Sequence, residues 1–510
     1  MSAHENKRLF DCFDVTAREF ASRAAVKAGD TSWTYGELHA LAKRYGRALI
    51  AAGVARGDRV GTLMNNCPEW AALWWAGAEV GAAVVPINLR LTPREIGEIC
   101  KDARLSLVIC DQGREIEQSE GGAAHESIVV LNEESGQRFL AGAEGVSEAV
   151  AAGRREGVTA EDPVLIVYTS GTTGRPKGVV LTHRNVVSNI ERQNEHFEAG
   201  PEEVLVTALP FAHVGGATET VAASMMGGGK LVLMNKFDPG EWLALIESEK
   251  ATFAGGVPTM FAMLLQHPKV RETDLSTVRR VVYAGAPCSP ALFEAIRKLE
   301  VTIQTGYGMT EAAGFVTYTD PDDPPEAIRD TVGRIADGFE LRIVDGDHQP
   351  LPNGEVGEVA LRGDCVTPGY LFNDEATREV IDEERWYYSG DMGYLDEAGR
   401  LRLAGRKKEM YITGGYNVYP AEVEAHLERH AGVAMAACMA VADETMSEVG
   451  WAFVMCPGEA PPTAEQLKAH CRDGLARYKV PAKFIVKPML PMTPLGKIDK
   501  QALKREIASG

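Results

Sequence analysis

A chain of 510 residues is longer than one hydrophobic core can serve, so roughly two to four packing units are expected. With 45% hydrophobic and 25% charged residues, the composition excludes a largely disordered chain. A formal net charge of −19 excludes a general nucleic-acid binder, which needs cationic surface to displace counterions, so an anionic ligand has to meet locally placed positive groups.

In chain order, MSAHENKRLF carries charges and no apolar run of signal-peptide length. The most apolar stretch, Trp70 to Pro86, is interrupted by Glu79 and stopped by proline, so no integral membrane segment is expected and the chain reads as cytoplasmic. Tyr35–Ala52 has helical period, with Leu38, Leu41, Ala42, Tyr45 and Leu49 on one face, and is followed by the turn GVARGD. RVGTLM, a helix around Glu69–Val80, AAVVPI, a helix at Pro93–Asp102 and LSLVIC then alternate, the pattern of a parallel sheet. The alternation returns between Val204 and Val282 with VLVTALP, KLVLM, a helix at Gly240–Glu249, TFAGGV and RRVVYAG, which predicts a second sheet of related build. From Gly333 short strands and turns predict a β-rich subdomain, with hairpins at Gly346 and at Asn353-Gly354. After Gly405 a compact tail carries helices at Ala421–His430 and Thr463–Arg477, with a domain boundary near Arg406–Lys408. Between Lys468 and Arg505 stand ten Lys or Arg residues and two acids, Asp473 and Asp499; a phosphate-facing surface and a solvated basic face both fit. Nine scattered cysteines without a C-x-x-C pair are expected to be reduced and mostly buried.

The strongest chemical signal is YTSGTTGRPKG, Tyr168–Gly178, between two apolar strands. Thr169, Ser170, Gly171, Thr172, Thr173 and Gly174 can turn hydroxyls and backbone N–H groups toward one anion, and Lys177 adds a cation, as a polyphosphate requires. The spacing is not that of a Walker loop, and no G-x-G-x-x-G occurs, so dinucleotide folds lose their fingerprint. QTGYGMTE, Gln304–Glu311, groups an aromatic, two glycines, a hydroxyl and a carboxylate in one turn. Asp391 and Arg406 stand fifteen positions apart, and Lys497 lies in PMTPLGKIDK near the end of the sequence.

These motifs, in this order from TYGEL at Thr34 to GKIDK at Gly496, resemble the adenylate-forming superfamily that includes acyl-CoA synthetases, firefly luciferase and the adenylation domains of peptide synthetases. The resemblance implies an α/β fold: a large N-terminal domain over 1–405, made of two layered α/β subdomains and a β-rich one, a hinge at 406–408 and a small mobile α+β domain over 409–510. It implies ATP, Mg²⁺ and coenzyme A as reactants or cofactors, and a two-step reaction through an acyl-adenylate. By carry-over, Gly285, Ala286 and Pro287 line the adenine site with Gly306 and Gly308, Tyr307 stacks on adenine, Thr310 holds the α-phosphate, and Glu311 helps bind magnesium. Asp391 and Arg406 secure the ribose, Lys408 is the hinge residue, and Gly414 and Gly415, followed by Asn417 and Pro420, border the pantetheine tunnel. Lys497 bridges the attacking carboxylate and the α-phosphate.

His213 occupies the position at which peptide-synthetase domains carry an ammonium-pairing aspartate, so the resemblance is to fatty acyl- and aryl-CoA ligases, with His213 beside the acid; a hydrogen-bonded structural histidine is the alternative. The acid pocket implied comprises His213, Val214, Gly215, Gly216, Gly255, Val257, Thr305, Gly306, Ala312 and Phe315, small or apolar positions without Lys or Arg. A second carboxylate on the substrate would go unpaired there, so a neutral monocarboxylic fatty, aryl or alicyclic acid is expected. A free-standing acyl carrier is the alternative acceptor to coenzyme A, a homodimer is compatible with the sequence, and an oxygenase or a non-catalytic nucleotide-binding scaffold are the rival classes on this fold.

Overall fold

In the computed structural model, residues 7–111, 128–169, 176–456, 461–492 and 498–509 are described. The first long helix, Tyr35–Ala51, starts at a reciprocal cap: the Glu37 N–H donates to the Thr34 hydroxyl at 3.2 Å, and the Thr34 N–H donates to the Glu37 carboxylate at 2.8 Å. Thr92 with Glu95, Thr182 with Asn185 and Thr463 with Gln466 repeat the device at three further helix starts. Leu38, Ala42, Tyr45 and Leu49 are buried, and this face packs on the helix Pro68–Val80. That second helix is apolar all round because it lies between layers, as a helix without a polar face must. The Trp70 indole N–H donates to Thr62 at 2.9 Å and that of Trp74 to the Val164 carbonyl at 3.2 Å, while Trp75 stacks on Phe13.

Two large sheets flank this core. In the seven-stranded sheet Arg59–Leu63 lies parallel between Ala83–Pro86 and Leu107–Cys110, and the antiparallel pair Pro163–Thr169 and Lys177–Thr182 extends it. In the nine-stranded sheet Lys230–Leu233, Val204–Thr207, Phe253–Gly256, Arg280–Tyr283 and Thr302–Met309 are successive parallel neighbours, as the repeated alternation predicts. One core cluster draws on both sheets, with Val84 and Leu165 from the first and Leu205 and Leu231 from the second.

A four-stranded antiparallel sheet follows, in the order Glu340–Val344, Gly357–Arg362, Tyr387–Leu395, Leu401–Arg406. Here one expectation is corrected. Gly346 does sit in a tight turn, closed by the Asp345 N–H on the Gln349 carbonyl at 2.9 Å. Asn353-Gly354 lies in the same connection, 345–356, between the antiparallel neighbours Glu340–Val344 and Gly357–Arg362 and is not a two-residue hairpin turn of its own; the Gly354 N–H donates to the Leu395 carbonyl at 2.8 Å. QTGYGMTE is likewise a strand, Thr302–Met309, followed by a short helical turn at Thr310–Ala312, and not one turn.

The last sheet, of five strands, begins at Tyr411–Thr413 and contains the hairpin Met435–Asp443 and Ser447–Met455. Its helices are shorter than their periodicity suggests. Pro420–Leu427 stops three residues early, and just past its end the Glu428 carboxyl accepts the Ala436 N–H at 3.1 Å. Ala464–Gly474 ends at a glycine whose added Cβ would stand 2.1 Å from the His426 ring. Three of the ten basic residues in the run are paired locally: Lys479 with Glu422, Lys487 with Glu506, and Lys500 with Glu409 and Glu424. All nine cysteines are free thiols, six of them buried. No described helix is long and apolar enough to cross a membrane.

Candidate active site

A cleft of about 2150 Å³ opens where the parallel strands of the large sheets end and the C-terminal sheet's helices face them. Carboxyl ends of parallel strands are where open α/β sheets present loops and backbone donors to ligands. Thr169 and Lys177 are register partners at the mouth of the antiparallel pair Pro163–Thr169 and Lys177–Thr182, and both line the cleft. Ser170, Gly171, Thr172, Thr173 and Gly174 lie outside the described residues. The Lys177 ammonium stands 5.0 Å from the Tyr370 ring centroid, and the Tyr370 hydroxyl donates to Glu311 Oε1 at 2.9 Å. Burial first, and then the Glu311 charge, keep that phenol protonated, so it remains a donor to the carboxylate. Thr310, Glu311 and Gly308 line the same wall, as do Gly285, Ala286 and Pro287, with Gly285 at φ +80° where the chain leaves the strand Arg280–Tyr283.

Opposite them, Asp391 and Arg406 face each other across the antiparallel strands Tyr387–Leu395 and Leu401–Arg406, with Arg406 Nε 2.7 Å from Asp391 Oδ1. The second oxygen, Oδ2, accepts from the Tyr307 hydroxyl at 2.6 Å. Asp391 is 7% exposed and is held by two donors from different sheets, which fixes its orientation. Tyr307 itself is packed among Val316, Ile343 and Leu361 and is not on the cleft wall, so its phenol reaches the site through Asp391. Gly306 is likewise behind the wall: a Cβ there would stand 2.3 Å from the Thr317 carbonyl oxygen.

Of the expected acid pocket, His213, Val214, Gly215, Gly216, Gly255, Val257 and Phe315 line the cleft together. Thr305 and Ala312 do not. Thr305 is buried with its hydroxyl on the Tyr283 carbonyl at 2.7 Å, and Ala312 has no exposed surface. His213 caps a short helical segment, its Nδ1 accepting the Gly215 N–H at 3.1 Å, which orients the ring. Gly216 has to be glycine, because an added Cβ would stand 2.3 Å from the Pro210 oxygen. The chain then makes a π-helical turn at Ala217–Ala222, and Glu219 from that turn lines the same arm with Gln193 and Phe197. Sequence reasoning missed Glu219, although an acid inside the run ATETVAASMM was its visible signal.

From the C-terminal sheet, Ala421, Glu424, Glu428, Ile498, Lys500 and Lys504 face the cleft, and Lys408 lines it at the crossing between the two parts. Lys497 lies outside the described residues; it is flanked by Ile498, which bridges to Met492, and by Lys500, whose ammonium is 3.1 Å from Glu424 and also pairs with Glu409. Gly414 and Gly415 are not brought to the cleft. They form the exposed turn between Tyr411–Thr413 and Tyr416–Val418, at φ +55° and +86°.

A hard divalent cation fits Glu311 as one oxygen ligand among phosphate oxygens and water. Among the described residues no group of three or more His, Cys, Asp or Glu side chains could hold a metal ion.

Over nearly its whole length the chain is similar to known proteins. Residues 13–371 match the family model described as AMP-binding enzyme, and residues 422–497 match that of the AMP-binding enzyme C-terminal domain. A feruloyl-CoA synthase of Amycolatopsis sp. is 34% identical, over 96% of this chain and 97% of its own. The long-chain-fatty-acid–CoA ligase FadD13 of Mycobacterium tuberculosis is 34% identical over 94% of each chain. Among solved structures, ATP-bound MatB from Rhodopseudomonas palustris superposes with a TM-score of 0.88 at 28% identity, covering 98% of this chain and 99% of that one.

Proposed function

The chain belongs to the AMP-binding enzyme family, and from that premise we propose that it is an acid–thiol ligase, joining a monocarboxylic acid to coenzyme A with conversion of ATP to AMP and pyrophosphate. The observation that carries this reading is the convergence on one cleft of Thr169 and Lys177, Thr310 and Glu311, and the paired Asp391 and Arg406, opposite an arm walled by small and apolar residues. A triphosphate, a ribose and an acyl group each find complementary chemistry there.

In the first step the substrate carboxylate oxygen attacks the α-phosphorus of ATP; the bond to the bridging oxygen breaks and pyrophosphate leaves with the electron pair. Thr169 and Lys177, with the loop between them, hold the departing phosphates. Magnesium, when bound, supplies charge neutralisation at the phosphates, with Glu311 as its protein ligand. Asp391 accepts from the ribose hydroxyls, and the Arg406 and Tyr307 donors keep its carboxylate in place. The role of bridging the attacking carboxylate and the α-phosphate, and of stabilising the charge that develops there, is assigned to Lys497 from its motif. In the second step the thiolate of coenzyme A attacks the acyl carbon and AMP leaves, after the small domain, 409–510, has turned about 406–408 and brought Gly414 and Gly415 toward the acid.

Relatives of nearly equal identity are named for an aryl and a long-chain fatty acid, so overall similarity does not choose the acid. The test is pyrophosphate release from ATP and magnesium over a panel of fatty, aryl and alicyclic acids, with and without coenzyme A. Turnover that requires free coenzyme A is the expected outcome. Adenylate formation that coenzyme A fails to discharge, but a phosphopantetheinylated carrier protein does, moves the acceptor to a free-standing carrier. No release with any acid, from folded protein that binds ATP, overturns the ligase reading.

A further inference from the structure

Glu219 is an acid in a place that has no use for one in the reaction above. It belongs to the π-helical turn Ala217–Ala222, a rare geometry that is frequent at functional sites. Its side chain lines the arm of the cleft with Phe197, Phe253 and Phe315, and it has no hydrogen-bond or ion-pair partner among the described residues. Burial is the sole cause that pushes its carboxyl up to about 7, so no cation stands near enough to offset it.

The neighbours are acceptors as well. Asn189 spends its amide N–H groups on the carbonyls of Ala312 and Phe315, at 3.0 and 2.6 Å, and its Oδ1 is buried without a donor. Gln193 donates to the Glu219 main-chain carbonyl at 2.8 Å, and its Oε1 is buried without a donor too. The carboxyl spans the space between these amides and His213. A Cβ built on Gly314 would stand 2.9 Å from Asn189 Oδ1 and 3.1 Å from Glu219 Oε1; one built on Gly215 would stand 3.4 Å from His213 Nδ1 and 3.6 Å from Glu219 Oε2. Oε1 is therefore on the side of Asn189, and Oε2 is on the side of His213 and Gly215, which line the acyl arm, where it can accept a hydrogen bond.

We propose that Glu219 selects the acid: it accepts a hydrogen bond from a hydroxyl or amino group carried on the acyl portion of the substrate, and so favours donor-bearing monocarboxylic acids over plain hydrocarbon acids and over dicarboxylic acids. This deepens the ligase reading and rests on it. A site built around a hydrogen bond rejects the analogue that lacks the donor, because the site's own polar group is then left buried and unpaired. A second carboxylate would meet Glu219 with no cation to receive it.

The experiment compares kcat/KM for pyrophosphate release across acids of one carbon frame bearing hydroxyl, amino, methyl or hydrogen at the same position, in the wild type, Glu219→Leu and Glu219→Gln. The wild type is expected to favour the hydroxyl and amino acids at least about tenfold over the methyl and unsubstituted ones. The ratio collapses to near one in Glu219→Leu, and Glu219→Gln keeps the preference for hydroxyl while losing that for amine. Equal treatment of the matched acids by the wild type, or an undiminished ratio in Glu219→Leu, overturns the proposal while leaving the ligase reading intact, since any release at all supports the latter. If Glu219→Leu does not fold, the Gln variant carries the comparison, and an unchanged amine preference there overturns it. If no acid is turned over, equilibrium binding of the matched acids replaces kcat/KM, and equal affinity overturns it.

Discussion

Glu79 shows how a single carboxyl can be read twice. In the sequence it breaks the most apolar stretch of the chain; in the structure it is 3% exposed on the helix Pro68–Val80, with Oε2 unpartnered. Gly46 of the facing helix makes room for it, since a Cβ there would stand 2.7 Å from that oxygen. Burial pushes its carboxyl up to about 7, against opposing contributions from Lys43 and Arg155. The folded state thus holds a proton that the unfolded state has released above the ordinary carboxyl range. Stability contributed through this group is full below the ordinary value near 4.5 and falls as pH rises toward 7, by up to about 1.4 kcal/mol per pH unit. Glu79→Gln is expected to melt higher than wild type at pH 8 and to lose that advantage at pH 5, read by calorimetry across the range; parallel curves for the two proteins would show the carboxylate to be ionised in the fold. Glu219 is another such residue. Neither was legible in role from the sequence, because an acid in an apolar run marks a cost without naming what surrounds it.

Elements were more legible than residues. Four helix starts carry their Thr-x-x-Glu, Thr-x-x-Asn or Thr-x-x-Gln signature in plain view, and the alternation of strands and helices gives both large sheets. Helix ends and long-range pairings were not, since Gly474 against His426 and Gly354 against Leu395 are contacts between distant parts of the chain. The same limit applies to Tyr307, Gly306, Thr305 and Ala312: strand alternation and close packing set them behind the cleft wall, and a motif string shows neither. The turn Gly414-Gly415 joins strands paired Thr413 to Tyr416, and two positive φ angles are what a two-residue hairpin of this kind requires. The turn explains both glycines without a tunnel, so their second role needs its own test. Lys497→Ala is expected to lose adenylation by at least about 100-fold while still converting supplied acyl-AMP to thioester. Gly415→Leu is expected to do the opposite, with circular dichroism checking that the strained turn has not unfolded the sheet. Equal loss of both half-reactions in both folded variants would end the two-pose account.

Over the whole molecule, a chain of net charge −19 brings Lys177, Arg406, Lys408, Lys500 and Lys504 to one cleft. Binding a polyanion there stabilises the folded state by mass action, about 2.7 kcal/mol at a hundredfold excess over Kd. A non-hydrolysable ATP analogue with magnesium should therefore raise Tm, and Asp391→Ala should remove most of that rise at the same concentration; an undiminished shift would mean the nucleotide sits elsewhere. Asp391 has a further consequence. One of its oxygens is tied to Tyr307 in the large sheet and the other to Arg406, the last residue before the chain crosses to the C-terminal sheet. On the proposed reading, with Asp391 seating the ribose and 406–408 as the pivot, the two share one carboxylate, and thermodynamic linkage makes their influence mutual. By whatever factor a seated nucleotide favours one orientation of the small domain, that orientation would tighten the hold on the nucleotide by the same factor, so the proposed swing that admits the thiol and the grip on AMP would be a single equilibrium seen from its two ends.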